Sequence, residues 1–333
     1  MTNAGFRIVT SKTPLRITFT GGGTDLPEYF RNFGPGAVVS ATIDRFIYVT
    51  IARNFREDEI RVSYSKTENA IKEVDQIQHP TVRESLKLLN IEPGIQIVSI
   101  TEIPSGGTGL GSSSSFLVGL LNALHTWKGE TVSPLQIASE AVRIERDILR
   151  EAGGRQDQYI AAHGGIQLMQ FNSDDTVNMK RIEMSVNDLE ELNERLLIFY
   201  TGIERRSTDI HRDQSSRITD MKEEYDMMRN MAYETYDALK SKDFQKVGEL
   251  MDKNWSLKKK LSKAITDPLI DNLYERAIRA GATGGKLMGA GGGGFLIFMA
   301  PLEKHRNIEM ALNNLRRYRF RVENLGSRIV YIE

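Results

Sequence analysis

From Pro104 the chain reads Pro-Ser-Gly-Gly-Thr-Gly-Leu-Gly-Ser-Ser-Ser-Ser, then turns apolar at helical spacing through Phe116, Leu117, Leu120, Leu121 and Leu124. Glycines let such a loop wrap with its N–H groups pointing inward. The N-terminus of the following helix adds unpaired N–H donors and the positive end of a dipole. Hydroxyls of Ser112–Ser115 can cap that helix, donate to phosphate oxygens or ligate Mg2+. The stretch reads as an anion cradle suited to a polyphosphate, with Pro104, Gly106, Gly107, Thr108, Gly109, Leu110, Gly111, Ser112, Ser113 and Ser114 as its candidate nucleotide-binding residues. It is not a Walker loop, because Gly285-Lys286 is followed by Leu287. Gly289-x-Gly291-x-x-Gly294 has dinucleotide spacing but precedes a strand, and His211-Arg212-Asp213 lacks the other parts of a protein-kinase catalytic loop.

Two carboxylates stand close to this loop in sequence. A helix expected from Pro134 to about Glu151 carries Ala138, Ala141, Glu145 and Ile148 on one stripe. A glutamate on an apolar stripe must snorkel, titrate or meet a cation. Mg2+ asks for one or two carboxylates plus phosphate oxygens, so Glu145 with Ser113 would be a sufficient protein ligand set. Asp157 follows the helix stop Gly153-Gly154 and, read alone, is a turn aspartate. Arg16 falls on the strand face opposite Leu15, Ile17 and Phe19, which by itself marks a surface arginine. A phosphate already on the substrate would need a basic clamp, for which Arg205 and Lys286 are candidates.

The elements that must hold these residues are mixed. Strands are expected at 15–20, 46–51, 60–64, 95–101, 166–171, 196–201 and 295–299, with two more at about 318–323 and 328–332. Helices are expected after the glycine loop, over much of 208–262, and at about 302–316. This order predicts an α+β fold. The polar stretch 172–195 suggests a boundary, giving domains 1–185 and 186–333. Fifteen of the 28 glycines fall in Gly21–Gly23, Gly106–Gly111 and Gly281–Gly294, three places where bare backbone should meet something. The 333 residues balance 44 basic against 44 acidic side chains and include no cysteine. That balance argues against nucleic acid or an anionic membrane as partner, and the missing thiols exclude disulfides and zinc ribbons. Without a secretory signal or a spanning segment, the expectation is a cytoplasmic protein.

Taken together, three segments resemble the motifs of the GHMP kinase family: Thr13-Pro-Leu-Arg16 leading to Gly21-Gly-Gly-Thr-Asp25, Pro104 through Ser114, and Gly281 through Gly294. The resemblance spans nearly the whole chain. It is closest to the D-glycero-D-manno-heptose 7-phosphate kinase subgroup, through Ala41-Thr-Ile-Asp-Arg45, Tyr64-Ser-Lys-Thr-Glu68 and Gln156-Asp-Gln-Tyr159 as well as the first glycine segment. It implies a two-domain GHMP kinase fold, with an N-terminal domain like ribosomal protein S5 domain 2 and a ferredoxin-like C-terminal domain. It implies ATP and Mg2+, with Asp157 and Arg16 catalytic, and Ser113 and Glu145 at the metal. Gly22, Gly23, Thr24, Asp25, Gly291 and Gly292, with Arg205 and Lys286, would face the substrate. Galactokinases have Glu-His where Gly22-Gly23 stands, which removes two substrate contacts. The implied reaction is phosphorylation of a sugar hydroxyl, the anomeric O1 of the heptose 7-phosphate, feeding nucleotide-activated heptose for capsule, S-layer or lipopolysaccharide. Another sugar-1-kinase with a fucose- or galactose-like substrate, and a non-catalytic ATP- and sugar-binding relative, stay open as alternatives. The partner is then a small sugar or sugar phosphate, with a homodimer as an option.

Overall fold

The computed structural model describes residues 6–103, 107–203 and 207–333. Pro104, Gly106 and Arg205 lie outside the described residues. In chain order the first part runs β1 (Ile8–Thr20), α1 (Pro27–Phe33), β2 (Gly36–Arg53), β3 (Ile60–Ser63), β4 (Thr67–Ile71), α2 (Pro80–Leu88), β5 (Ile95–Thr101), α3 (Ser112–Trp127), α4 (Pro134–Val142), α5 (Gln156–His163), β6 (Ile166–Phe171) and β7 (Val177–Ile182). There follow α6 (Val186–Arg195), β8 (Leu196–Tyr200), α7 (Ser207–Ser216), α8 (Lys222–Lys240), α9 (Phe244–Leu261), α10 (Pro268–Arg279), β9 (Gly284–Leu287), β10 (Phe295–Met299), α11 (His305–Ala311), β11 (Arg316–Tyr318) and β12 (Arg328–Ile332).

Two sheets organise these elements. The first has the order β12-β1-β2-β5-β3-β4, with β6 pairing β2 and β7 pairing β6. The 18-residue β2 serves two partners, giving Gly36–Ala41 to β6 and Ile47–Arg53 to β5. The second sheet is antiparallel, β11-β8-β10-β9. The mixed architecture is the expected α+β class. Helices α3, α5, α8 and α9 all pack on β1, and α8 and α9 form a hairpin that touches both sheets. That double cover buries β1 from Thr13 to Thr20 on both faces, where alternation alone predicted a half-buried strand.

Local chemistry explains the boundaries. Pro134 opens α4, and Ser133 caps it by accepting from Gln136 N–H at 3.1 Å. Gly129 takes φ +77° just beyond α3, the left-handed stop a glycine accepts cheaply. The polar stretch 172–195 is structured after all: β7 and α6 occupy it. β7 is a sheet-edge strand with residues 178, 180 and 181 exposed or half-buried, so apolar content could not reveal it. The expected helix to Glu151 becomes a π-helical turn at Arg143–Ile148. The boundary expected at 185/186 falls between β7 and α6, and the final strand β12 returns to pair with β1.

Candidate active site

Arg16 is set by β1 and by the glycine loop at once. Its backbone N–H donates to Leu110 O at 3.1 Å, and its Nη1 donates to Gly109 O. The rest of the guanidinium forms a bidentate pair with Asp157, Nε to Oδ1 and Nη2 to Oδ2, both at 2.7 Å. Only 5% of Arg16 is exposed, so the surface arginine of the strand pattern is a buried clamp. Asp157 sits in the first turn of α5, where the helix dipole favours a negative charge. Asp25, 2% exposed, holds that turn from another element: Oδ2 accepts from Gln156 N–H at 3.0 Å and Oδ1 from Gly23 N–H at 2.9 Å. Gln156 Oε1 in turn accepts from Thr18 and Ser40 hydroxyls at 2.7 and 3.0 Å.

The N-terminus of α3 is open. Gly111 stands at the cap position with φ +77°, and no side chain caps the helix. The serines expected as caps do something else. Ser113 and Ser114 donate to Glu145 Oε1 and Oε2 at 3.1 and 2.9 Å, and Gln158 Nε2 also donates to Oε2. Glu145 is 1% exposed. The π turn delivers it inward, while Ile148, its expected stripe-mate, is 40% exposed. Inserted turns of this kind recur at functional sites because they re-aim one side chain.

Two cavities meet at this point. One is lined by Gly107–Ser114, Glu145 and part of the Met288–Gly293 loop. The other is lined by Thr18, Gly22, Gly23, Asp25, Gln156, Lys258 and Lys286 among others. Arg16, Arg146, Asp157, His211, Gly289 and Ala290 line both. Gly291 lines the loop-side cavity, and Gly292 gives its N–H to Ile265 O at 2.8 Å, so neither of these expected substrate residues faces Asp25. Thr24 is fully buried in its turn, with Oγ1 2.9 Å from both Gly21 O and Ala37 O.

Several lining residues were not singled out from sequence. Lys258 lies on α9 in the stripe Met251, Asn254, Trp255, Lys258, Leu261, so a lysine on a buried helical face was a readable signal. Burial pushes Lys258 down to about 8 and Lys286 well below the usual lysine range. Burial also holds His211 down at about 4, so its imidazole is neutral, and its Nδ1 has no hydrogen-bond partner among the described residues. His211 belonged to the dismissed His-Arg-Asp triplet, and only α7 packing brings it here. Arg146 donates through Nε to Gly154 O at 3.0 Å and approaches Glu145 Oε2 at 3.6 Å.

The donor set beside α3 suits a small hard cation. Glu145 supplies one buried carboxylate and Ser113 a hydroxyl, and among the described residues no cluster of three or more His, Cys, Asp or Glu forms an all-protein cage. Mg2+ prefers such sparse oxygen ligation, completed by phosphates and water. No helix among the described residues is long and apolar enough to cross a membrane.

Comparison with known proteins agrees with this arrangement. Residues 70–165 match the model of the GHMP kinases N terminal domain, and residues 235–318 that of the GHMP kinases C terminal region. A D-glycero-alpha-D-manno-heptose 7-phosphate kinase of Campylobacter jejuni is 30% identical over 326 residues, covering 94% of this chain and 95% of that protein. The crystal structure of a D-glycero-D-manno-heptose 1-phosphate kinase from Bacteroides thetaiotaomicron superposes with TM-score 0.80 at 25% identity, covering 98% of this chain and 99% of that one. A Lactococcus lactis galactokinase complexed with galactose shares the fold, with TM-score 0.76 at 17% identity over 96% of this chain and 95% of its own.

Proposed function

The chain belongs to the GHMP kinase family, and we propose that it transfers the γ-phosphoryl group of ATP to the anomeric O1 of D-glycero-D-manno-heptose 7-phosphate, giving the 1,7-bisphosphate. The observation that carries this reading is the Arg16–Asp157 pair on the wall shared by the two cavities. One cavity has the amides and open helix end that suit a triphosphate. The other has the carboxylate, amide and hydroxyl groups that suit a polyol. The Campylobacter relative's substrate supports the choice of sugar.

In this reading loop amides from Gly107 to Gly111 and the first N–H groups of α3 hold the β- and γ-phosphates. Ser113 and Glu145 would hold Mg2+, which would supply charge neutralisation on the phosphate oxygens. Asp25 and Gln156 hold sugar hydroxyls, and Asp157 accepts a hydrogen bond from the attacking one. A phosphoryl transfer with a loose transition state asks little of a base, so a carboxylate paired to arginine is adequate: it orients the hydroxyl and takes its proton late. Arg16 and Arg146, both on the shared wall, stabilise charge on the moving group.

A coupled ADP-release screen over hexoses, heptoses and their terminal phosphates, with NMR of the product, tests substrate and position together. Asp157→Ala should lower kcat roughly a thousandfold while ATP still binds. Near-normal turnover in that variant would remove Asp157 from the reaction.

A further inference from the structure

Four cationic side chains line the Asp25 cavity: Arg16, Arg146, Lys258 and Lys286. Two carboxylates, Asp25 and Asp157, line it with them, which leaves a formal surplus of two positive charges among the described lining residues. Arg16 is already matched to Asp157, and Asp25 is engaged by backbone N–H groups. Arg146 approaches Glu145 at 3.6 Å, which leaves Lys258 and Lys286 with the single charge of Asp25 between them. They are 5% and 1% exposed, and neither forms an ion pair among the described residues. Lys258 Nζ is steadied by Gly289 O at 2.6 Å.

Charging two buried amines that have no ion-pair partner within 4 Å among the described residues is costly, and burial lowers the proton affinity of both. A neutral sugar would leave that cost in place, whereas a dianion offsets it. The two arginines on the shared wall also serve the nucleotide side, but Lys258 and Lys286 line the sugar cavity alone. Their charge is therefore directed at the acceptor. Burial and the neighbouring cations outweigh the raising influence of Asp25 on both lysines, so an added dianion would restore their protonation.

We propose that Lys258 and Lys286 form a receptor for a phosphate already carried by the acceptor sugar, so that this cavity selects sugar phosphates over neutral sugars. The proposal rests on the sugar-kinase reading above and adds the pair of residues that decides the substrate class.

The experiment compares wild type, Lys258→Met and Lys286→Met on D-glycero-D-manno-heptose 7-phosphate and on the dephosphorylated heptose, with ATP affinity measured for each protein. Each variant should lose roughly 100-fold in kcat/KM on the phosphorylated sugar, mostly through KM, because truncation removes a desolvated charge contact. On the neutral heptose the loss in each variant should be at least about tenfold smaller than on the phosphorylated sugar. Equal losses on both sugars would overturn the proposal. So would wild-type protein that prefers neutral heptose over its phosphate while turning over both. If wild type phosphorylates none of these sugars, the sugar-kinase reading itself fails, which is a distinct result. As a check that needs no variant, inorganic phosphate should compete with the sugar phosphate in wild type and leave the KM of neutral heptose unchanged. Competition with ATP alone would count against the receptor.

Discussion

Asp157 is held in a bidentate ion pair, which fixes its orientation in the first turn of α5. Arg16 takes one lone pair of each of its oxygens and leaves others to accept from a hydroxyl, while Asp25 and Gln156 stand where the proposed sugar's remaining hydroxyls would lie. Gly154 makes this possible: a Cβ there would lie 1.8 Å from Asp25 Oδ2. Gly154→Ala should raise the sugar KM at least about tenfold with ATP affinity kept, because the carboxylate must swing away from the α5 N-terminus. Isothermal titration with each ligand checks it. A second prediction concerns pH. Lys258 is lowered to about 8, first by burial and then by Arg16, against the raising influence of Asp25 and Asp157. It is charged below about 8 and neutral above. With Lys286 beside it and His211 already neutral in this range, kcat/KM for a phosphorylated sugar should fall as pH rises through about 8. The same parameter for the neutral sugar should stay flat. A matched pair of pH profiles reads both. Glu145 and the loop serines stood out by residue type and spacing, whereas Asp157 read alone is a turn aspartate and was marked only by the family resemblance. Lys258 was legible only as a lysine on an apolar helical stripe, and His211 not at all, because a lone histidine takes its meaning from what packs against it.

Loops and turns carry the next level of control. The third glycine cluster was expected to meet a ligand, yet much of its bare backbone meets other backbone. A Cβ on Gly109 would fall 2.5 Å from Met288 O, one on Gly289 2.6 Å from Gly109 Cα, and one on Gly294 2.3 Å from Thr108 O. The second and third clusters thus brace each other, and the brace shapes the loop that leads into α3. Gly109 also has φ +75°, a conformation that costs a side chain about 1 to 2 kcal/mol. Gly109→Ala should therefore weaken ATP binding by at least about tenfold and disturb the Arg16 contact to Gly109 O. Fluorescent-nucleotide titration measures the first effect, and unchanged affinity would mean the loops tolerate separation. The π turn at Arg143–Ile148 is the other device at this scale. Periodicity placed Glu145 on the inner face correctly but ran the helix on as regular, since nothing in the residue types announces one extra residue per turn.

Across the whole molecule, the α8–α9 hairpin joins the two sheets and carries Lys258 to a cavity whose other walls come from β1, α5 and the loop after β9. The last strand closes the assembly. β12 pairs with β1, Ser327 Oγ lies 2.8 Å from Thr13 Oγ1, and Ser327 N–H donates to Ala161 O at 2.8 Å. Gly326 lies so close to Ala162 that a Cβ would meet its carbonyl oxygen at 2.1 Å. Removing residues 325–333 should lower the melting temperature by several degrees and reduce activity, although no residue of that segment lines either cavity. A thermal melt followed by circular dichroism reports it. A truncated protein with unchanged melting would mean that β1 is held by β2 and the helices alone.

By itself the sequence determined the α+β class, the glycine- and serine-rich loop at the head of α3 and the inward face of Glu145, because these depend on local quantities: glycine's conformational freedom, helical and strand periodicity, and the chemistry of adjacent side chains. Tertiary structure alone decided that Arg16 is buried against Asp157, that Asp25 holds the α5 turn, and that two lysines from separate elements share one cavity. Those outcomes depend on residues from 28 to 141 positions apart meeting at low exposure, and the energy of a charge is set by what surrounds it in space.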